Sequence, residues 1–393
     1  MSGRFALAVV AMVATNACLL VFGVAGQSNS TNPKGQTASF GSSGGNADDS
    51  ADNKCCSGTL GSLLFSGTKK YILSNNHVIG AMGHATNGAA IIQPGLVDNG
   101  CLPTRSVGRF VVAAAITDNV DAAIAELLPS TMDPTGTILG IGLPSGEGVD
   151  PVSEMPVQKS GRSTGVTHGT IFSYPTNVNV DYSGLCRFPE RKRITFKNQV
   201  VIATDPGSPF AATGDSGSLL MTEDKQPVGL LFAGSNVQIP SSPGEGGTAA
   251  PPDKDLVAVH PIKDVLARLS TALGSPLSFH PGIKLGAAPI VAERSERLSD
   301  HQNERTSTAN QMFEKIQSEP SVVGVGVAGW LAEPQLILYL QKDLAPQTLK
   351  SAGFGITDAG LRYQGMKVTI VKTGPLRAAG WNDELGDLKK CGD

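Results

Sequence analysis

Aromatic and charged residues are scarce in this chain of 393 residues, at 5% and 17% of the composition. The formal net charge is −3, so there is no overall excess of positive charge with which to bind nucleic acid. The basic residues that cluster between positions 187 and 197 are interpreted as a solvated face of a hairpin. No nucleic-acid partner is therefore expected.

Long apolar runs are missing except near the N-terminus. There, Arg4 precedes the run FALAVVAMVATNACLLVFGVAG, which only Thr15 and Asn16 interrupt. The run and the small residues that end it predict a signal peptide over residues 1–26 and export to the periplasm, cell envelope or medium. A retained membrane anchor is the alternative, because the run is just long enough to span a bilayer. After removal of the signal, no stable membrane partner is expected.

Cysteine spacing of the kind that binds zinc is also absent from the sequence. None of the six cysteines forms a C-x-x-C pair, so no metal site is predicted, and no nucleotide or flavin motif indicates a cofactor. In an exported chain, Cys55, Cys56, Cys101 and Cys186 are candidates for disulfides. A bridge from Cys55 or Cys56 to Cys101 is favoured, and the other pairings stay open. Five cysteines remain after removal of the signal, so at least one stays free or pairs between chains, and Cys391, two residues from the end, is expected to be that cysteine.

Apolar residues are almost missing from residues 27–54, QSNSTNPKGQTASFGSSGGNADDSADNK. Such a composition cannot bury a core, so the segment is predicted to be a flexible linker. On this interpretation, the GSSGG at 41–45 is part of a solvated tether.

What the chain has in quantity is glycine (47 residues) and proline (25 residues). Over residues 55–274, short apolar runs alternate with Gly, Pro, Asn and Asp, which indicates an all-β unit. A helix beginning near Pro261 closes this unit. Residues 275–296 are predicted to be a linker. Residues 297–393 follow the order α-β-β-α-β, which predicts a small α+β domain whose role stays open between substrate recruitment, internal inhibition, assistance in folding and a spacer.

Three residues carry the chemistry of a serine hydrolase. His77 follows the apolar run in KKYILSNNHVIG, Asp121 begins DAAIAELL, and Ser216 lies in GDSGS between two apolar segments. A serine nucleophile needs a base, a carboxylate that orients the base, and N–H groups for the oxyanion. Gly214 and Gly217 allow the tight turn that such N–H groups require. Taken alone, Asp121 has the alternative of a simple turn residue.

In the order His77, Asp121, Ser216, the chain resembles the chymotrypsin/trypsin-like serine peptidases, and specifically their exported bacterial members. The resemblance covers roughly residues 55–272 and rests on GTLGSLL, YILSNNHVIG, NVDAAIAEL, KSGRSTGVTHGTI, GDSGSLL and VGLLFAG. It implies two packed six-stranded antiparallel β-barrels with the site in the cleft. It also implies His77 as general base, Asp121 as its orienting carboxylate, Ser216 as nucleophile, and the amides of Gly214 and Ser216 as the oxyanion hole. The expected function is serine endopeptidase action on protein or peptide substrates, and the alternative is a non-catalytic binding or adhesion protein on the same scaffold.

The resemblance also places a substrate pocket. Phe210, six residues before Ser216, stands where the family has the pocket base, and Ala211 follows it; the wall is expected at Phe232, Ala233 and Gly234. None of these residues is charged, so an apolar or small residue is expected at the cleaved bond. In the alternative, Phe210 belongs to the core and the pocket is shallow or blocked.

One departure from the family concerns Asp215. No Ile-Val-Gly-Gly start exists near residue 55, so activation by a new N-terminus that pairs with this carboxylate is not expected. Asp215 therefore needs another partner or a solvated position.

Overall fold

The structure, a computed structural model, describes residues 38–51, 54–183, 185–186, 192–205, 209–235, 254–281, 300–329, 335–358 and 360–378. The candidate signal peptide and Cys391 lie outside these residues. The strands of the first half are β1 (Ser42–Asn46), β2 (Ser50–Ala51), β3 (Lys54–Cys55), β4 (Gly58–Leu60), β5 (Ser62–Ser66), β6 (Lys69–Ser74), β7 (Ala90–Gln93), β8 (Arg105–Ala113) and β9 (Ala123–Leu127). A single helical turn, α1 (Asn76–Ile79), follows β6.

The first barrel closes through β4 and β5, which form one strand interrupted at Gly61. At one end this strand pairs with β1 (Ser42↔Leu60), and at the other it pairs with β6 (Ser62↔Leu73). The remaining order is β1-β7-β8-β9-β6, all antiparallel, which gives six strands around one core. The buried apolar side chains of this core include Leu64, Ile72 and Ile124.

The prediction that residues 27–54 form a linker is wrong for the described residues 38–51. The GSSGG segment is β1, and all five of its residues are buried. Small residues are needed here because the strands approach closely: a Cβ on Gly44 would lie 2.4 Å from the Leu60 side chain. The buried Ser42 hydroxyl donates to the Ser39 carbonyl at 2.7 Å. A strand built from Ser and Gly therefore carries no apolar signal in the sequence, although the barrel cannot close without it.

The second barrel has six strands as well. They are β10 (Pro156–Gly161), β11 (Gly165–Asp181), β12 (Arg193–Thr204), β13 (Leu219–Thr222), β14 (Pro227–Gly234) and β15 (Asp255–Pro261). Their order is β10-β13-β14-β15-β12-β11, and β11 pairs back with β10 to close the barrel. The two six-stranded antiparallel barrels predicted from the sequence are thus confirmed.

The closing helix is α2 (Ile262–Leu273), which begins directly after Pro261 and ends at Gly274 in a left-handed conformation (φ 72°). Its buried side chains, Ile262, Val265, Leu266 and Leu269, belong to the core of the first barrel. The helix therefore ties the end of the second barrel to the first. Residues 275–281 were predicted to belong to a linker, and this prediction is wrong. Phe65 and Ser278 exchange backbone hydrogen bonds of 2.8 and 3.0 Å, and Leu277 is fully buried.

The C-terminal part is an α+β unit. Its elements are α3 (Asp300–Ile316), β16 (Val322–Ala328), β17 (Gln335–Leu340), α4 (Pro346–Ser351), β18 (Phe354–Thr357), β19 (Gly360–Tyr363), β20 (Met366–Lys372) and β21 (Leu376–Arg377). Compared with the expected order, a short hairpin of β18 and β19 stands between α4 and β20. β16 pairs with β11 (Thr176↔Gly326), so the sheet of this unit continues that of the second barrel. Among the described residues, no helix combines the length and the apolar composition needed to cross a bilayer.

Candidate active site

His77 and Asp121 meet where two neighbouring strands end and begin. His77 lies on α1 directly after β6, and Asp121 lies two residues before β9, which pairs with β6. His77 Nδ1 is 2.6 Å from Asp121 Oδ2, and the His77 backbone N–H donates to Asp121 Oδ1 at 3.1 Å. Both side chains are fully buried. A carboxylate only accepts hydrogen bonds, so Nδ1 carries the proton and donates it to Asp121. The two hydrogen bonds together fix the orientation of the imidazole.

The carboxylate of Asp121 accepts a further hydrogen bond that was not predicted from the sequence. The Tyr182 hydroxyl donates to Asp121 Oδ2 at 2.7 Å. Burial would raise the pKa of Asp121, but the neighbouring His77 and the hydrogen bonds from His77 and Tyr182 keep that pKa below its ordinary value. Burial and the adjacent Asp121 carboxylate raise the pKa of Tyr182 well above its ordinary value, so the phenol stays a donor.

A second buried histidine supports the backbone at Asp121. The Asp121 N–H donates to His260 Nε2 at 2.9 Å, and His260 Nδ1 is 2.7 Å from Gln199 Oε1. His260 also stacks on Phe232, with ring centroids 3.7 Å apart and an angle of 12° between the planes. Burial lowers the pKa of His260 to about 3. This imidazole is therefore neutral, accepting at Nε2 and donating at Nδ1.

Ser216 lies on a turn in which nearby residues on both sides have backbone conformations that favour glycine. Gly214 and Gly217 have φ values of +97° and +95°. A Cβ on Gly214 would lie 2.3 Å from Arg162 Nη1, and a Cβ on Gly217 would lie 2.3 Å from the Thr59 carbonyl oxygen. The Thr59 N–H donates to the Ser216 carbonyl at 2.8 Å, so the turn of the second barrel is held by the first barrel.

This turn also lies beside the histidine segment. A Cβ built on Gly58 would be 2.6 Å from the Val78 side chain and 2.8 Å from the Ser216 carbonyl oxygen, which places Ser216 close to the residue after His77. Within the part of the chain that the structure describes, His77 Nε2 is buried and makes no hydrogen bond. The Ser216 hydroxyl is buried as well, with Oγ 3.5 Å from the Phe232 carbonyl oxygen.

Asp215 has an internal partner. Its Oδ2 is 3.2 Å from Lys159 Nζ, and both side chains are fully buried. The carboxylate also accepts from the Thr164 hydroxyl and from the N–H groups of Ser163 and Ala212, at 2.7 to 2.9 Å. Burial acts to raise the pKa of Asp215, but Lys159 and these donors lower it; burial lowers the pKa of Lys159. Of the two expectations for Asp215, another partner and a solvated position, the structure shows the first.

The residues predicted to line the pocket divide between two buried clusters. Phe210 packs with Ile171 and Ile202 inside the second barrel, and Ala211 is in the same cluster. Phe232 and Ala233 lie in another cluster, with Tyr182. Phe210 is only 1% exposed, which is the environment of a core residue.

One of the two disulfides joins the segment that follows β11 to the first half of the chain. Cys55 pairs with Cys101, as favoured from the sequence, and Cys56 pairs with Cys186. Cys186 follows Tyr182 by four residues, so its bridge to Cys56 holds the Tyr182 segment near the histidine. Two disulfides fit a protein of an oxidising compartment.

The two closed six-stranded barrels define a chymotrypsin-like double-barrel fold. A family described as the Nal1 C-terminal domain matches residues 114–239, less than half of the chain, and this match includes Asp121 and Ser216. No curated protein matches the chain.

Similar solved structures are bacterial serine proteases. A glutamic acid-specific serine protease described as using a histidine triad in substrate binding is 17% identical, with 60% of this chain and 98% of that one covered and a TM-score of 0.40. Thermobifida fusca protease A is 16% identical, with 62% and 99% covered and a TM-score of 0.39. The Nocardiopsis protease NAPase is 15% identical, with 57% and 92% covered and a TM-score of 0.37.

Proposed function

We propose that the protein is an exported serine endopeptidase in which His77, Asp121 and Ser216 form the catalytic triad. The observation that carries this proposal is the buried His77–Asp121 pair, whose second imidazole nitrogen is left without a hydrogen bond beside the serine turn. In this tautomer, Nε2 accepts the Ser216 proton as Oγ attacks a carbonyl carbon, and later returns it to the leaving amine. The amides of Gly214 and Ser216 are proposed to stabilise the oxyanion.

The internal Lys159–Asp215 ion pair supports activity without a new N-terminus. The carboxylate before the nucleophile is fixed by five contacts from within the chain, so the turn 214–217 is held in place in the intact protein. Removal of the candidate signal peptide is then the processing step that export requires.

Peptide hydrolysis by the mature chain tests the proposal. Ala, Val or Leu is expected at the cleaved bond, in preference to Lys or Glu, because none of the pocket residues expected from the sequence, Phe210, Ala211, Phe232, Ala233 and Gly234, carries a counter-charge. The burial of Phe210 favours the alternative of a shallow pocket. Asp121→Asn should lower kcat about ten-thousand-fold, since the imidazole loses its orienting carboxylate. Ser216→Ala, which lacks the proposed nucleophile, is the inactive reference and should not hydrolyse the peptide. If Ser216→Ala hydrolysed the peptide at the same rate as the wild type, the proposal would be overturned, and a binding protein on a peptidase scaffold would be favoured.

A further inference from the structure

The short strand β21 lies between two strands of the second barrel, close to the candidate nucleophile. It pairs in parallel with β11 (Val180↔Leu376, Asp181↔Arg377) and antiparallel with β14 (Gly234↔Arg377). The Ala378 N–H donates to the Asp181 carbonyl at 3.2 Å. A segment from the end of the described chain thus fills the groove between β11 and β14.

The edge of β14 that β21 occupies is the one that faces Ser216. On its other edge, Gly234 pairs with Val257 of β15. β13, which follows the serine turn, pairs with β14 only as far as Leu230. Beyond Leu230, β21 pairs with this edge at Gly234. This part of the edge lies next to Phe232, whose carbonyl oxygen is 3.5 Å from Ser216 Oγ.

The backbone groups of Gly234 and Arg377 face each other across this edge. The Ser235 N–H donates to Leu256 at 2.8 Å, on the β15 side. Because successive residues of a strand direct their N–H groups to opposite sides, the Gly234 N–H faces β21. By the same alternation, the Ala378 N–H faces β11, so the N–H and C=O of Arg377 face Gly234. An extended peptide uses the same pair of groups when it adds a strand to a sheet edge.

The direction of β21 leads toward the candidate nucleophile. Since β21 is antiparallel to β14, the step from Arg377 to Ala378 runs from Gly234 toward Phe232. Leu376 and Ala378 are 1% and 2% exposed and belong to the buried cluster of Phe232 and Tyr182. Side chains as well as backbone therefore hold the segment in the groove.

The C-terminal unit is fixed to the barrel in a way that delivers β21 to this edge. β16 pairs with β11, and the Tyr339 hydroxyl is 2.7 Å from Ser173 Oγ. Asn177 Nδ2 donates to Asn310 Oδ1 at 2.7 Å. Only three residues separate β20 from β21. A segment tethered so closely has a high effective concentration at the groove.

We propose that Leu376–Ala378 is an internal occupant of the peptide-binding edge of β14 and that extended peptide substrates must displace it. The proposal rests on the proposed peptidase function and assigns the C-terminal unit the role of an internal inhibitor. Peptides short enough to avoid the edge at Ala233 and Gly234 enter without this competition. Longer peptides meet a groove that is open in only a fraction of molecules, which raises their apparent KM by the inverse of that fraction.

Arg377→Pro in the full mature chain tests the proposal, with Arg377→Ala as the matched control. Proline removes the N–H that faces Gly234, whereas alanine removes only the guanidinium. For hexapeptide amides, the proline variant should show a KM at least about tenfold lower than the alanine variant. For a single-residue acyl ester, the two variants should have the same kcat/KM. Equal hexapeptide KM values would overturn the proposal.

A second readout does not depend on catalysis. Hydrogen exchange at the Gly234 amide should be slow in the wild type and in Arg377→Ala, and at least about tenfold faster in Arg377→Pro. Equal exchange in all three would overturn the proposal, even if every chain hydrolyses the ester. If no chain hydrolyses the ester, the proposed function fails, and the exchange rates still decide whether β21 occupies the edge. Melting curves check that Arg377→Pro is folded. If it is not, Leu376→Ala replaces it, because this variant keeps all backbone groups and loses only the buried side chain. Leu376→Ala should also lower the hexapeptide KM and speed exchange at the Gly234 amide.

Discussion

Tyr182 and His77 share one carboxylate oxygen: the Tyr182 hydroxyl lies 2.7 Å from Asp121 Oδ2, and His77 Nδ1 lies 2.6 Å from the same atom. The two rings stand nearly perpendicular, with centroids 6.1 Å apart. Since Cys186 is bridged to Cys56, the segment that carries Tyr182 is held against the first barrel. The orientation of the proposed base therefore depends on both barrels.

Tyr182→Phe should lower kcat about 10- to 100-fold, because a hydrogen bond to a charged group contributes about 1.5–3 kcal/mol. KM should change little, since the phenol is buried behind the carboxylate. The measurement is steady-state hydrolysis of a single-residue acyl ester, which does not reach the edge of β14 that β21 occupies. Tyr339→Phe is the matched control, because it loses a buried hydroxyl contact to Ser173, outside the triad. Equal losses in the two variants would show that Tyr182 matters only for stability.

Lys159→Met should lower the melting temperature by roughly 10 °C, because removing one partner of a buried ion pair costs about 3–5 kcal/mol. Hydrolysis should fall too, since Asp215 precedes the nucleophile. The double variant Lys159→Met, Asp215→Asn should recover much of the stability, because no uncompensated charge remains. If Lys159→Met is as stable and active as the wild type, the ion pair does not hold the turn.

His260 makes the stability depend on pH. Its pKa is about 3 in the folded protein, below the value of about 6.5 in an unfolded chain. Between these values the unfolded state binds more protons, so the free energy of unfolding falls as the pH falls from about 6.5 toward 3, by about 5 kcal/mol in total. The contribution is fully present above pH 6.5.

Denaturant unfolding at pH 7 and pH 4.5 measures this effect. His260→Gln keeps an acceptor for the Asp121 N–H and does not titrate, so it should lose less stability than the wild type over this interval. An identical loss in both proteins would show that His260 is not the group responsible.

The proposed triad could be read from the sequence because each member stands at the end of an apolar strand or on a glycine-bounded turn. His77 and Asp121 follow and precede strands whose apolar residues are visible, and the barrel places neighbouring strand ends together. Their partners Tyr182 and His260 could not be predicted, because they reach Asp121 from 61 and 139 residues away and no local pattern marks them.

Among the strands that were not predicted, β1 and β21 were missed for a related reason. β1 consists of Ser, Gly and Asn, so its burial follows from close packing against Leu60 and not from apolar side chains. β21 has two residues, too few for any periodicity. Each of the two strands forms because of the strands with which it pairs, and those strands lie elsewhere in the chain.

Labelling with a small serine-directed phosphonate tests the central claim most directly, because the reagent needs only an activated Ser216 and no contact with β14. The wild type, Ser216→Ala and Arg377→Pro should be folded by their melting curves before treatment. The account predicts one adduct on the wild type and on Arg377→Pro, mapped to the peptide that contains Ser216, and none on Ser216→Ala. Folded wild-type and Arg377→Pro proteins that stay unlabelled, or an adduct that persists in Ser216→Ala, would contradict it.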